Sequence, residues 1–265
     1  MKSGNREICM AAKKAGDIMN HVKDRLVPCG SHDRYAAVIT GASSGIGAAV
    51  SKKLSELGYE LFGIGRDFPP DDFWQQEGVH RIVCDLTDTG RLCEIVRRIT
   101  AEFQVRVLVN NAGVGYYGLH EELNPQKIQE LVRINLEVPM ILAQQLLRQL
   151  KKHAGYLINI ASVTAAKTNP HGCAYGATKA GLASFSASLF EEARKYGVKV
   201  VTISPDMTKT GLYRHADFRE GEAADTYLLP EEVADAVGFV LGQREGVVIT
   251  ELTVRPQRHQ IRKVT

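Results

Sequence analysis

The sequence predicts a single α/β domain built around a doubly wound, parallel, seven-stranded sheet. Three observations carry this expectation. Seven short runs rich in Val and Ile alternate with stretches long enough for helices. Most of the runs are apolar on consecutive positions, as strands covered on both faces must be. A cluster of glycines directly after the first run marks a sharp turn from strand into helix.

The strand-like runs are Ala36–Thr40, Glu60–Ile64, Arg81–Cys84, Val105–Val109, Tyr156–Ile160, Lys199–Ile203 and Val247–Val254. Helical stretches fall between them, over Gly47–Leu57, Asp88–Phe103, Pro125–Lys151 and Ala174–Tyr196. Asn124 before Pro125 reads as an N-cap followed by proline at the first helical position, where its missing N–H costs nothing. Leu229-Pro230-Glu231-Glu232 opens a last helix, with acids in the first turn where the helix dipole favours them. One folded domain is therefore expected over residues 35–256. Residues 1–34 lie outside the alternation, and Ile8, Ala11, Ala12, Ala15, Ile18, Met19, Val22 and Leu26 recur there at the spacing of one amphipathic helix. Residues 257–265 read as a solvated basic tail.

Composition narrows the function classes. Charged residues make up 24% of the 265 and hydrophobic ones 44%, as in an ordinary globular protein, and no apolar run approaches the eighteen residues of a membrane span. Five cysteines, at 9, 29, 84, 93 and 173, form no CxxC pair and have no histidine cluster beside them. That pattern predicts reduced thiols and a cytoplasmic setting, with no metal site, and the first residues show neither an apolar h-region nor a small-residue cleavage site, so no secretory signal is expected. Seven Lys/Arg against four Asp/Glu in residues 1–34, and four against none in 255–265, leave the body between them net negative. A nucleic-acid binder would carry its basic stripe on the folded face, so no nucleic-acid partner is expected.

The first strand runs into Thr40-Gly41-Ala42-Ser43-Ser44-Gly45-Ile46-Gly47. Glycines between a strand and a helix bring bare backbone N–H groups against a dinucleotide pyrophosphate, and the helix N-terminus supplies compensating positive charge. The expected fold is therefore of the Rossmann type. Further along, Tyr175 and Lys179 stand four apart on one helix face, so an ammonium can lie beside a phenol. Such a neighbour favours phenolate and is expected to pull the tyrosine pKa down from about 10 towards the operating pH.

These motifs resemble the short-chain dehydrogenase/reductase family over about residues 35–254. Its TGxxxGxG pattern matches residues 40–47, and its NNAG segment matches Asn110-Asn111-Ala112-Gly113. Its adenine-contacting aspartate falls on Asp85, followed by Leu86, and its catalytic set falls on Asn135, Ser162, Tyr175 and Lys179, with Ser162 and Tyr175 thirteen apart. The resemblance implies a carbonyl reductase or alcohol dehydrogenase in which Tyr175 passes a proton to or from the substrate oxygen. Lys179 would also hold the nicotinamide ribose, and Asn135 would order a proton-relaying water. It implies cofactor contacts from Gly41, Ser43, Ser44, Gly45, Ile46, Gly47, Arg66, Asp85, Leu86, Asn111, Ala112, Gly113, Tyr175 and Lys179, with Asn111 mainly a scaffold residue. After the sixth strand, Pro205, Thr208 and Thr210 fall on the family's PGxxxT segment, but Asp206 replaces its glycine. A homotetramer or homodimer is implied as well.

Two readings concern the ligands. Where an NAD-preferring member carries an acid at the end of the second strand, this chain has Gly65, followed by Arg66. An arginine there can meet a ribose 2′-phosphate through two charge-assisted bonds, so NADP is the expected cofactor. The substrate is a small carbonyl or alcohol compound whose class stays open among 3-oxoacyl thioesters, hydroxy acids, sugars and polyketide-like ketones. Residues 211–228 should cover it; Arg214 or Arg219 would meet an anion there if the loop is not simply solvated. The rival class is a catalytically silent dinucleotide-binding sensor or scaffold.

Overall fold

In the computed structural model, which describes residues 34–214 and 216–263, the backbone follows the hydrophobic pattern closely. The first half comprises β1 (Ala36–Thr40), α1 (Gly45–Glu56), β2 (Glu60–Gly65), β3 (Val79–Val83), α2 (Thr89–Glu102) and β4 (Val105–Asn110). Then come α3 (Pro125–Val132), α4 (Val138–Lys152), β5 (Tyr156–Ile160), α5 (Cys173–Ala193) and β6 (Lys199–Pro205). The chain continues with β7 (Phe218–Glu220), α6 (Pro230–Leu241), β8 (Glu251–Val254) and β9 (Ile261–Lys263). Seven strands form one sheet in the order β3-β2-β1-β4-β5-β6-β8, and every neighbouring pair in it is parallel. The order reverses between β1 and β4, so the loops leaving their carboxyl ends diverge and open a crevice there.

Helices cover both faces. Val50 and Leu54 of α1 pack with Val233, Val237 and Val240 of α6 against one face. Leu92, Val96 and Ile99 of α2 pack with Leu142 and Leu146 of α4 and Leu189 of α5 against the other. The double cover fails at the sheet edges. β3 begins two residues before the predicted run and alternates between buried and exposed positions, leaving Val83 55% exposed, because an edge strand is covered on one face only. The last strand is four residues shorter than predicted, since residues 247–250 approach β6 only through Thr202 N–H to Thr250 O at 2.8 Å.

The stretch predicted as one helix over 125–151 is broken by a π turn at Arg133–Glu137. Pro139 has no N–H to give the carbonyl four residues back, that of Asn135, and the wider turn absorbs the break. Asn124 caps α3 as expected, its side chain accepting from Gln126 N–H at 2.8 Å. Glu232 likewise reaches back to Leu229 N–H at 2.8 Å at the start of α6.

The basic tail departs from the sequence reading. Residues 261–263 are exposed to solvent but paired, forming the strand β9 antiparallel to β7. The helix expected within residues 1–34, and Cys9 and Cys29, lie outside the described residues. Cys84, Cys93 and Cys173 are free thiols. Among the described residues no helix is long and apolar enough to cross a membrane.

Candidate active site

The crevice at the carboxyl ends of β1, β4, β5 and β6 holds a cavity of about 550 Å³. Every residue read from the sequence as a cofactor contact lines it, and Ser162 does too. Asn135 does not line it.

The glycine turn is built for close approach. Gly41 and Gly45 have φ of +67° and +53°, in the left-handed region that glycine enters without strain. A Cβ on Gly47 would fall 1.9 Å from Gly41 O and 2.5 Å from Asn111 Nδ2. Ser44 caps α1 without a side-chain bond to its first N–H groups, which leaves those donors turned to the crevice. Asn111 fastens the turn from behind, its Nδ2 donating to Thr40 O at 2.9 Å and Gly41 O at 3.2 Å. Thr40 Oγ1 accepts from the N–H groups of Asn111 and Ala112. Asn111 thus ties the loop after β4 to the glycine turn. This bare-backbone cradle at a helix N-terminus fits a dinucleotide diphosphate.

Beyond the cradle, Asp85 Oδ1 accepts from the N–H and Oγ1 of Thr87, at 2.9 and 2.8 Å. Those bonds hold its carboxyl below the usual carboxylate range, with a smaller contribution from the charges of Arg66 and Arg133. Gly65 ends β2 with no side chain to offer, and Arg66 is exposed on the cavity wall. Among the described residues Arg66 makes no salt bridge with Asp67, which removes the commonplace reason for its presence.

Tyr175 and Lys179 lie on α5, both 4% exposed, and Ser162 sits at the end of β5. Ser162 hydrogen-bonds the Tyr175 hydroxyl and accepts from Thr164 N–H at 3.2 Å. Lys179 Nζ lies 5.8 Å from the Tyr175 ring centroid and donates to Ile160 O at 2.8 Å. Burial pushes Tyr175 up to about 12, against the bond from Ser162, and pushes Lys179 down to about 8. The downward shift expected for Tyr175 is therefore absent: desolvation of the phenolate outweighs the ammonium beside it. The phenol is protonated at neutral pH and stands as a donor.

Asn135 is fully buried in the π turn. Its Oδ1 accepts from Val114 N–H at 2.9 Å, and its Nδ2 donates to Val114 O at 2.9 Å and Thr178 Oγ1 at 3.2 Å. The side-chain amide is committed to protein partners and ties the loop after β4 to the helix that carries Tyr175.

After β6 the aspartate in place of glycine is accommodated without a left-handed backbone. Asp206 Oδ1 accepts from the N–H of the adjacent Met207 at 2.9 Å. Thr208 Oγ1 donates to Asp206 O, and Thr210 accepts from Leu212 N–H. Arg219, read as an anion ligand or a solvated charge, is neither: its Nη1 donates to the carbonyls of Tyr213, Ala216 and Phe218 at 2.6–2.8 Å.

Sequence reasoning passed over Tyr117, whose ring lies 5.7 Å from that of Tyr175, 5.9 Å from Tyr213 and 5.0 Å from Phe218. Burial pushes the phenols of Tyr117 and Tyr213 strongly up, so both are neutral. The signal was there in Tyr116-Tyr117 just beyond the NNAG segment, but nothing local says that a loop tyrosine will fold over α5.

Residues 35–220 match the model of the family described as short chain dehydrogenase. An uncharacterized oxidoreductase of Staphylococcus epidermidis is 32% identical over 225 residues, covering 83% of this chain and 96% of that protein. An alcohol dehydrogenase from the archaeon Thermococcus sibiricus, complexed with 5-hydroxy-NADP, superposes with a TM-score of 0.76 at 27% identity, over 85% of this chain and 99% of its own. A metagenomic short-chain oxidoreductase in complex with NADP gives 0.70 at 29%, over 84% and 98%. A 3-ketoacyl-(acyl-carrier-protein) reductase from Brucella melitensis complexed with NADH shares the fold at 22% identity, with a TM-score of 0.74 over 86% and 99%.

Proposed function

The chain belongs to the short chain dehydrogenase family, and on that premise we propose that it is an NADP(H)-dependent reductase of carbonyl compounds, with Tyr175 as the proton donor. The observation that carries this reading is the meeting of Ser162, Tyr175 and Lys179 at one end of the cavity whose other end is the glycine cradle. When bound, the nicotinamide supplies the hydride that reduces the carbonyl carbon. The protein's own residues do the rest. Tyr175 delivers its hydroxyl proton to the carbonyl oxygen, and Ser162 donates a hydrogen bond to that oxygen and fixes its position. Lys179 spends one of its three N–H donors on Ile160 O; the other two are available to ribose hydroxyls. Asn135 acts as a positioning residue, through Val114 and Thr178.

A silent sensor or scaffold would be expected to have lost part of this set, and the set is whole. Carbonyl-dependent loss of reduced-nicotinamide absorbance, over a panel of aldehydes, alkyl ketones and aryl ketones, tests the reaction. No turnover across the panel would return the sensor reading to first place.

The choice of NADP rests on Gly65 and Arg66. A hydrogen bond to a charged group contributes about 1.5–3 kcal/mol, or about ten- to a hundredfold in affinity. NADPH is therefore expected to bind more tightly than NADH by that order, with Arg66→Ala erasing most of the difference. Calorimetry of both nucleotides at one ionic strength checks this; equal affinities in the wild type would count against the assignment. Homo-oligomerisation, which rests on the family, and a cytoplasmic location, which rests on the cysteine pattern, belong to the same proposal.

A further inference from the structure

Residues 254–263 are fastened along the segment that follows β6, part of which lines the cavity. Asp206 N–H donates to Val254 O at 2.9 Å, Arg258 N–H to Asp225 O at 2.9 Å, and Gly221 N–H to Gln260 O at 3.0 Å. β9 pairs with β7, placing Phe218 opposite Lys263 and Glu220 opposite Ile261. A ribbon of three residues per strand is marginal alone, and side chains supplement it. The Arg258 guanidinium grips Asp225 through two bonds of 2.6 and 2.7 Å, the fork geometry that makes such pairs strong. Arg262 stands 3.7 Å from Glu222, and Arg255 and His259 each stand 3.9 Å from Asp206.

What this segment holds in place is Phe218. Its ring meets Tyr117 edge-on at 5.0 Å and Tyr213 at 5.5 Å, and Tyr117 in turn faces Tyr175. A chain of aromatic contacts therefore runs from the C-terminal segment to the phenol. Arg219, on the same strand as Phe218, is turned onto backbone carbonyls. Asp206 is among the residues lining the cavity, with its carboxylate turned to Met207 N–H, Arg255 and His259.

We propose that residues 255–263 are a specificity-determining strap: by pinning Phe218 against Tyr117 and Tyr213 they back the Tyr213 ring, which lines the cavity with Tyr175, and so fit the site to planar carbonyl compounds such as aryl ketones. The proposal rests on the reading of Tyr175 as the donor to a carbonyl, and its test separates the two.

Amide hydrogen exchange needs no substrate. Exchange across residues 216–222 is compared in the wild type, in Arg258→Ala and in a chain ending at Pro256, each with NADPH present. Both variants are expected to exchange there at least about tenfold faster, with β1 and β5 unchanged as the control for folding. Reversing the pair, Arg258→Asp with Asp225→Arg, should restore slow exchange. Unaltered exchange in both variants would overturn the strap. Selectivity is read as the ratio of kcat/KM for acetophenone to that for butanone. The wild type should favour acetophenone, and Arg258→Ala and Phe218→Ala should each lower the ratio at least about tenfold, chiefly through KM for acetophenone. An unchanged ratio would overturn the specificity role. If the wild type reduces neither ketone nor any other carbonyl, the functional reading fails while the exchange result still decides the strap.

Discussion

Tyr175→Phe is expected to lower kcat for carbonyl reduction by about 10²–10⁴-fold, the usual contribution of a positioned proton donor. The substitution removes one oxygen and keeps the ring that packs 5.7 Å from Tyr117, so the site should keep its shape. Ser162 loses its partner hydroxyl but can still aim a hydrogen bond at the substrate. The cofactor cradle lies at the other end of the cavity, and NADPH affinity should stay within about twofold of wild type. Turnover within a few-fold of wild type would show that the proton comes from elsewhere. The elevated pKa of Tyr175, about 12, gives the prediction a direction: the protonated phenol suits reduction, whereas alcohol oxidation needs a base and is expected to gain as pH rises.

Gly47→Ala sets two physical effects against each other. Alanine is the better helix former by about 1 kcal/mol, so propensity alone predicts a more stable α1. The new Cβ, however, would fall 1.9 Å from Gly41 O, a backbone atom held from behind by Asn111. Overpacking of that kind costs about 1–3 kcal/mol, and relief requires moving the very turn that forms the cradle. NADPH affinity should fall at least about tenfold and Tm should drop with it. A variant that binds NADPH as tightly as wild type, with Tm unchanged or raised, would mean that the glycine serves helix packing only loosely and the cradle not at all.

The parts of this protein that were legible in the sequence are those whose cause is local. The seven-stranded parallel sheet follows from apolar runs that alternate with helix-length stretches, and the cradle from glycines placed between a strand and a helix. Many of the cavity-lining residues could be named because they follow the carboxyl end of a strand, where the winding of the sheet must bring them together; Tyr175 and Lys179, on α5, came from the family's motif. What escaped was set by contacts distant in sequence. Nothing near Ile261 announces that it will pair with Glu220, forty-one positions earlier. Tyr117 looked like an ordinary loop tyrosine until its neighbours on α5 and β7 were known. The pKa of Tyr175 was misjudged for the same reason: the charge of Lys179 is visible four residues away, but the depth of burial that outweighs it is not.

The central claim, hydride delivery to a carbonyl carbon in this cavity, is most directly tested by isotope transfer. Wild-type protein is supplied with NADPH carrying deuterium at C4 of the nicotinamide, on each face in turn, and with a carbonyl compound from the panel that supports turnover. The account predicts an alcohol with one deuterium on the former carbonyl carbon from one of the two labelled cofactors and none from the other, and no labelled alcohol with Tyr175→Phe beyond its slow residual rate. Oxidation of NADPH without deuterium appearing in the alcohol, or no oxidation with any carbonyl compound, would contradict it.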